Sequence, residues 1–294
     1  MHNVQPGILS GTPPLARYLV FSLKAETEPA DSLRLLSGHI DGDHAVIGFG
    51  HSLLKALGKD IAGLKPFPAY TGSGFDVPST PAALWIWLRG NDRGELLYQS
   101  LEIQQVLARV FALINVIDAF EYRDSRDLSG YVDGTENPAG EDAVNAAIVQ
   151  GRGEGLDGSS FVAVQQWIHD LAHFQAMPVA EQDNTIGRRI SDNEEIEDAP
   201  PSAHVKRTAQ ENFEPEAFVL RRSMPWADAR QAGLVFVAFG HSLDAYEALL
   251  KRMVGEDDGT VDALFNFTRP VSGSYFWCPP MKNGQLDLGI LGLN

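Results

Sequence analysis

The sequence contains one cysteine in 294 residues, Cys278, so an internal disulfide and a cysteine metal cluster are both excluded. Cys278 stands in an apolar segment without a CxxC partner, which favours the role of a small buried hydrophobic residue. Long apolar runs are missing as well, because no segment reaches the roughly 18 consecutive apolar residues of a transmembrane helix. We therefore expect neither a disulfide-stabilised scaffold nor a protein that crosses a membrane by helices.

Basic residues are also scarce: 23 Lys and Arg stand against 39 Asp and Glu, which gives a net charge of −16. An acidic chain of this kind disfavours nucleic acid and anionic membranes as partners. Residues 1–6 lack a basic region followed by an apolar run, so no secretory signal is expected. With 44% hydrophobic residues the chain can bury a large core, and we expect a folded cytoplasmic protein.

Apolar segments of strand and helix type alternate along the chain. In the first half the pattern predicts strands at 18–23, 45–50, 84–89 and 116–122, with helices at 32–36, 52–57 and 96–112. This order indicates a ferredoxin-like α+β unit, which we assign to residues 1–145. Residues 146–294 repeat the plan, with strands at 160–167 and 234–239 and a helix that carries Tyr246, Leu249, Leu250 and Met253.

One pentapeptide occurs twice, because residues 49–53 and residues 239–243 both have the sequence Phe-Gly-His-Ser-Leu. Each copy follows an apolar strand and is predicted to open a helix, so we interpret the identity as the trace of a duplication. Ser52 and Ser242 are then predicted to begin these helices. The matched His51 and His241 are expected to be structural.

The segment from Gly130 to Pro138, Gly-Tyr-Val-Asp-Gly-Thr-Glu-Asn-Pro, has the composition of a loop held in one shape. Gly130 and Gly134 permit backbone angles that other residues avoid, and the residue before Pro138 is kept out of helix. Local chemistry allows two interpretations. The segment is either a turn with a solvated Asp133 or a rigid loop that directs this carboxylate into a buried site.

Adjacent basic pairs are concentrated between residues 188 and 222. They form either surface pairs or a site for carboxylate or phosphate groups. Strand alternation over 218–221 directs Val219 and Arg221 to one face. The pairs are Arg188-Arg189, Lys206-Arg207 and Arg221-Arg222.

The polar segment 182–202 is long enough to predict a functional or mobile loop. His169 and His173 stand four residues apart on a predicted helix over 165–174, but there is no HExxH motif, and the apolar neighbours favour packing. The residues alone do not show that the remaining candidates meet; these are Asp133, His204 and Arg221.

Five blocks of the sequence resemble the dye-decolourising peroxidases, and within them the B-type branch. The first block contains the GxxDG signature, and the blocks follow the order of the family over most of the chain. The resemblance implies an α+β fold of tandem duplicated ferredoxin-like domains, whose antiparallel sheets form a β-barrel-like core flanked by helices. The blocks are residues 130–138, 186–188, 202–205, 221–225 and 267–273.

The resemblance also implies one haem b (iron protoporphyrin IX) per chain, bound by the second half. His204 matches the iron ligand, and Asp262 matches the acid that supports it. The role of the distal acid stays open: it either moves a proton or orders water and the distal arginine. The distal residues are Asp133, Arg221 and Ser223, and the further cofactor contacts are Arg188, beside a propionate, Gly134 and Thr135.

These roles imply a peroxidase that reduces hydrogen peroxide to water through a ferryl intermediate and oxidises dyes, phenolics or other one-electron donors. A haem-binding or haem-iron-handling protein with incidental peroxidase activity, and a small-molecule binding protein without haem, stay open as alternatives. The resemblance suggests a homo-oligomer, a dimer or larger, and the short tail 287–294 disfavours encapsulation in a protein shell. Candidate electron relays, with plain packing as their alternative, are Tyr131, Trp226, Tyr275 and Trp277.

Overall fold

The computed structural model of the protein describes residues 3–72 and 74–293. Its strands are β1 (Leu15–Leu23), β2 (Ala45–Gly50), β3 (Tyr70–Gly72), β4 (Phe75–Val77), β5 (Leu84–Gly90), β6 (Phe111–Phe120), β7 (Ser160–His169), β8 (Leu220–Arg221), β9 (Met224–Ala227), β10 (Ala232–Gly240), β11 (Thr268–Pro270), β12 (Ser274–Cys278), β13 (Met281–Lys282) and β14 (Gln285–Leu286). Its α-helices are α1 (Pro6–Leu9), α2 (Ala30–Ser37), α3 (His51–Ala56), α4 (Arg93–Leu107), α5 (Gly140–Ala147), α6 (Leu171–Ala176), α7 (Val179–Ile186), α8 (His204–Arg207) and α9 (Asp244–Met253). Short 3₁₀ helices lie at Gln210–Asn212, Ala263–Asn266 and Gly289–Leu291.

Eight antiparallel strands close into a barrel. Around the ring the order is β7, β12, β2, β5, β1, β6, β9 and β10, and β10 pairs with β7 to complete it. β11 extends the sheet beside β7, and β8 lies beside β10, just before β9 in the chain. None of the helices in residues 3–72 and 74–293 is long and apolar enough to span a membrane.

Both halves of the barrel use one strand order. The first half is ordered β2-β5-β1-β6 and the second β9-β10-β7-β12, so each half places its second, third, first and fourth strands side by side. The halves join reciprocally, because β2 pairs with β12 and β6 with β9. The predicted duplicated ferredoxin-like α+β fold with a barrel-like core is confirmed. The predicted boundary between residues 145 and 146 falls within α5 and stays a prediction.

Side chains of the barrel strands alternate between the interior and an outer face covered by helices. Tyr18, Trp85 and Trp87 stack in the interior, with ring centroids 6.2 to 6.4 Å apart. Leu84, Ile86 and Leu88, which alternate with the two tryptophans, pack in the apolar cluster between the barrel and its helices, here called the outer cluster, as the alternation in β5 predicts. Burying each large apolar side chain fully contributes about 1.5–3 kcal/mol.

The predicted helix over 96–112 has different bounds. It begins earlier, where Asp92 caps α4 by accepting the N–H groups of Gly94 and Glu95. It also ends at Leu107, because Phe111 already pairs with Leu23 in the sheet. Helical spacing continued into a segment whose pairing with β1 decides its conformation.

The repeated pentapeptide does not occupy equivalent places in the two halves, so its interpretation as a trace of duplication was wrong. The first copy ends β2, the second strand of its half, whereas the second copy ends β10, the third strand of its half. Phe49 packs in the outer cluster and Phe239 in the barrel interior. The duplication lies in the strand order instead.

The two serines of the pentapeptide are not the residues that begin the helices. Gly50 precedes α3, and Ser52 lies inside that helix. The second helix, α9, starts only at Asp244, whose N–H is accepted by the Ser242 hydroxyl in a local turn. Serine hydroxyls form such turns as readily as helix caps, which explains the error.

Candidate active site beside the barrel

A cavity of about 150 Å³ lies between the outer face of β7 and β10 and helix α9. Alternation along β7 explains the lining, because Gln165, Trp167 and His169 face the cavity whereas Val162 and Val164 face the barrel interior. Most of the lining is apolar, contributed by Ile186, Val219, Leu234, Phe236, Leu249, Leu250, Met253, Leu264 and Phe267.

Asp133 enters the cavity from a tight hairpin. The N–H of Gly130 donates to the Asp127 carbonyl, and the Asp133 N–H donates to the Ser125 carbonyl. Gly130 adopts φ +95°, which a side chain would resist, so the glycine of the signature is required by the turn. Burial raises the pKa of the Asp133 carboxyl; the charge on Arg221 opposes this shift and the charge on Asp127 adds to it.

Arg221 is held in place by the same loop that carries Asp133. The Asn137 side chain accepts the Arg221 N–H at 2.8 Å and donates to the Arg221 carbonyl at 2.9 Å. Val219 and Arg221 both line the cavity, whereas Leu220 packs in the barrel interior, as predicted from alternation. Within the described part of the chain, the Arg221 Nε is buried without a hydrogen-bond partner.

His204 begins α8 and lines the same cavity. Its Nδ1 lies 2.8 Å from the Oδ2 of Asp262, whose side chain is fully buried. The other oxygen of this carboxylate accepts the Leu264 N–H, so Asp262 is fixed on both sides. With Nδ1 donating to Asp262, the Nε2 of His204 is left with a free lone pair.

The remaining candidates lie in two spaces that adjoin the cavity. Arg188, Gly134 and Thr135 share one of them with His204. Arg188 donates to the Glu136 carboxylate at 2.6 Å and to the Asn193 carbonyl at 3.0 Å. Ser223 shares the other space with Asp133 and Arg221, and its hydroxyl accepts the Val237 N–H at 3.3 Å.

The other members of the basic pairs do not line the cavity. Arg189 and Lys206 form ion pairs with acidic residues near the surface, and Arg207 pairs with Asp258. Arg222 points away from the cavity and donates to the carbonyls of α1, and burial lowers its pKa to about 10. Arg221 therefore lines the cavity itself, whereas Arg188 and Arg222 each line one of the two adjoining spaces.

His169 lines the cavity, although the sequence assigned it to a packing helix. That helix was wrong, because His169 is the last residue of β7, where Thr268 pairs with it. His173 lies on α6 and is exposed, so the two histidines do not form a pair. The sequence analysis also missed Asp127, which contacts the His169 ring. Asp127 stands five residues before Val132, and no local pattern there predicted a site residue.

The candidate electron relays have different surroundings. Tyr131 lines the cavity and donates to the Asp183 carboxylate at 2.5 Å, within the predicted functional segment 182–202. Trp226 packs in the barrel interior, and Tyr275 and Trp277 pack in the outer cluster. Their role in electron transfer stays a prediction.

Comparison with known proteins places this geometry in a family. The family model "Dyp-type peroxidase, C-terminal" matches residues 124–283. A dye-decolorizing peroxidase of Rhodococcus erythropolis is 32% identical, over 90% of this chain and 83% of its own length.

Solved structures share the whole fold. A putative dyp-type peroxidase of Shewanella oneidensis superposes with a TM-score of 0.88 at 28% identity, covering 97% of this chain and 96% of that one. A variant of Rhodococcus jostii DypB in complex with heme gives 0.83 at 26% identity, covering 92% and 94%. The family model covers more than half of the chain, and the Rhodococcus erythropolis relative is 32% identical over 90% of it. The protein therefore belongs to the Dyp-type peroxidase family.

Proposed function

We propose that this Dyp-type peroxidase binds one haem b in the cavity beside the barrel, with His204 as the iron ligand, and reduces hydrogen peroxide there. The observation that carries the proposal is the convergence of His204, Asp133 and Arg221 on one largely apolar cavity. The heme-bound variant of Rhodococcus jostii DypB supports the choice of cofactor.

The residues present fit this group. An iron ligand needs a lone pair, and the contact with Asp262 leaves the one on the His204 Nε2 available while making the ring more basic. The apolar lining suits the porphyrin face. The Nε–H of Arg221 is buried and has no acceptor among the described residues, so it can donate to a bound ligand.

The polar edge of the site fits the propionates. Arg188 is 10% exposed and directs its guanidinium to Glu136, in the space that it shares with Gly134, Thr135 and His204. A guanidinium has five N–H donors, so Arg188 can hold a propionate while keeping a contact with protein oxygens. Because Gly134 has no side chain, the backbone of the loop can lie close to the porphyrin.

When bound, haem supplies the iron at which the O–O bond of peroxide is cleaved and through which electrons from a reducing substrate pass. The chain provides the charges and proton carriers around that reaction. Arg221 stabilises the negative charge that develops on the peroxide oxygens. Asp133 accepts a proton from one oxygen and returns it to the other, which leaves as water.

The environment of Asp133 determines the pH range in which its carboxylate can accept a proton. Because burial raises its pKa, the carboxylate form required of a base becomes populated only as the pH rises through that raised value. The Ser223 hydroxyl, which accepts from Val237, keeps its own proton free to order water beside Arg221.

The test combines haem binding with peroxide turnover. His204→Ala is expected to abolish the Soret spectrum of the bound haem, whereas Arg221→Leu is expected to keep haem and lose peroxide turnover about 10²–10³-fold. Arg93→Leu, a change of an arginine that is 81% exposed on α4, is the control and should retain both properties. Wild-type turnover in Arg221→Leu would contradict the proposed mechanism.

The same preparations separate the enzyme from a haem-iron handler. A handler would use His204 and Arg188 but would not need Arg221. Release of metal-free protoporphyrin under anaerobic conditions, with weak peroxide turnover, would favour the handler.

We also propose a cytoplasmic homo-oligomer, a dimer or larger, on the basis of the family resemblance. The reducing partner is a small one-electron donor such as a dye or phenol. Light scattering of the purified protein tests the assembly, and a monomer at all concentrations would contradict it.

A further inference from the structure

His169 and Asp127 form a buried polar pair that the reaction described above does not use. The His169 Nε2 lies 3.0 Å from the Asp127 Oδ1, and the side chains are only 5% and 16% exposed. On the other side of the ring, Nδ1 lies 2.5 Å from the Thr268 Oγ1. Both ring nitrogens of a buried histidine are therefore in hydrogen-bonded contact.

The ring stands in the wall between two spaces. His169, Phe267 and Thr268 line the haem cavity, and they also line an open cleft on the other side. The wall is thus a single layer of side chains. Besides the pair, the acidic and basic side chains that line the cavity are Asp133, His204 and Arg221, and those that line the cleft are Asp170, Asp228, Arg230 and Arg269.

The hydrogen bonds around the ring allow it to carry a proton in either of two states. Thr268 has one hydroxyl proton, which it can donate to the His169 Nδ1 or to the Ile168 carbonyl at 3.1 Å. If Thr268 donates to His169, the ring is neutral and gives its Nε2–H to Asp127. If Thr268 donates to Ile168, Nδ1 itself donates, and the ring is an imidazolium as long as Nε2 keeps its own proton toward Asp127. The ring can thus gain a proton at Nδ1 and lose one at Nε2 without moving.

Asp127 connects this ring to the proposed distal acid. Its second carboxylate oxygen accepts the Ser129 N–H at 2.7 Å, which fixes the side chain at the turn of the hairpin. Asp127 and Asp133 line the same two spaces. Their charges interact, because the Asp127 carboxylate contributes to the raised pKa of Asp133.

We propose that His169 and Asp127 are a proton relay that carries protons from the open cleft to Asp133. The inference rests on the proposed function. Reduction of one hydrogen peroxide breaks its O–O bond and consumes two electrons, from the reducing substrate, and two protons to give two waters. A proton from cleft water enters at Nδ1 through Thr268, and the proton on Nε2 passes to Asp127. Water then carries it to Asp133. The ring is left neutral with its proton on Nδ1, and it must rotate to present a free nitrogen to Thr268 again before the next proton can enter.

The relay makes His169 a positioning residue rather than a catalytic one, so its test must separate proton delivery from structure. His169→Gln keeps a side chain that hydrogen-bonds but cannot carry a proton through a ring. Haem-loaded His169→Gln is expected to bind haem as wild type does but to turn over peroxide about tenfold or more slowly, with a larger solvent deuterium isotope effect. His173→Gln, on the exposed face of α6, is the matched control and should behave as wild type.

Cyanide binding gives a readout that does not depend on turnover, because hydrogen cyanide must lose its proton to bind as the anion. In His169→Gln we expect the association rate to fall about tenfold and the equilibrium dissociation constant to stay at the wild-type value. Asp127→Asn, which preserves the shape of the pair, should show the same kinetic change and gives a second test if His169→Gln fails to fold.

The outcomes distinguish the relay from the proposed function. Wild-type protein without haem binding or peroxide turnover would overturn both. An active wild type, with unchanged cyanide association and isotope effects in both variants, would overturn the relay alone. A loss of haem affinity in both variants equal to the loss of rate would assign His169 a purely structural role and also overturn the relay.

Discussion

The Nδ1 of His204 and the Oδ2 of Asp262 lie 2.8 Å apart, which joins the first residue of α8 to the start of a 3₁₀ helix 58 residues later. The carboxylate is fully buried, and the contact fixes which ring nitrogen carries the proton. The orientation of the proposed iron ligand therefore depends on a residue far from it in sequence.

Replacement of this carboxylate by an amide should weaken haem binding. Asp262→Asn keeps an oxygen for the Leu264 N–H but removes the negative charge that makes the His204 ring basic. We expect haem affinity to fall about 10–100-fold, measured by titration of the Soret band, and the reduction potential of the bound iron to rise. Asp257→Asn, near Arg252 and 46% exposed, is the control. Unchanged affinity and potential would contradict a supporting role for Asp262.

Asp133 should make the haem-free protein less stable as the pH rises. Its unfolded pKa is about 3.9, and burial raises the folded value, so between the two the folded state holds a proton that the unfolded state has lost. Stability therefore falls as the pH rises through this window. Asp133→Asn cannot titrate, so its free energy of unfolding should exceed that of wild type increasingly from about pH 4 upward, measured by urea denaturation.

Asp127 provides the control for this prediction. Its negative charge is one cause of the raised pKa of Asp133, so the pH-dependent gap should shrink when the comparison is repeated in an Asp127→Asn background. A gap between wild type and Asp133→Asn that does not change with pH would show that the carboxylate is not desolvated.

The local sequence pattern predicted most of the barrel strands correctly. It failed where a contact with a residue distant in sequence determines the secondary structure. β2 has the bounds that its apolar run predicts, and the alternation in β5 separates its tryptophans from its aliphatic residues. The end of α4 was misplaced, because pairing with β1 extends the chain from Phe111 onward. His169 was placed on a helix for the same reason, since β11 pairs with it from 99 residues away.

The site shows the same division. The sequence identified Asp133 and Arg221 as separate candidates, but their proximity depends on Asn137, whose side chain binds both backbone groups of Arg221 across 84 residues. Hydrophobic periodicity cannot predict such a contact, because a side-chain amide that binds the edge of a strand does not change the apolar pattern of the sequence around it. The family motifs identified these residues, and the contact explains why Asn137 belongs to the loop.

Gly187 should be needed for the position of His204. It ends α7 in the left-handed region at φ +92°, and a methyl group there would collide with the Val205 side chain and lie 3.2 Å from the Ala203 Cβ. Gly187→Ala should lower the free energy of unfolding by more than the about 1–2 kcal/mol of backbone strain, and should also weaken haem binding by moving the residues on both sides of His204. Gly284→Ala is the matched control, because Gly284 has φ +80° with no atom within 4 Å of an added Cβ. Urea denaturation and Soret titration of both variants should show strain alone in Gly284→Ala. Equal effects on haem affinity in the two variants would contradict the dependence of the His204 position on the packing of Ala203 and Val205 against Gly187.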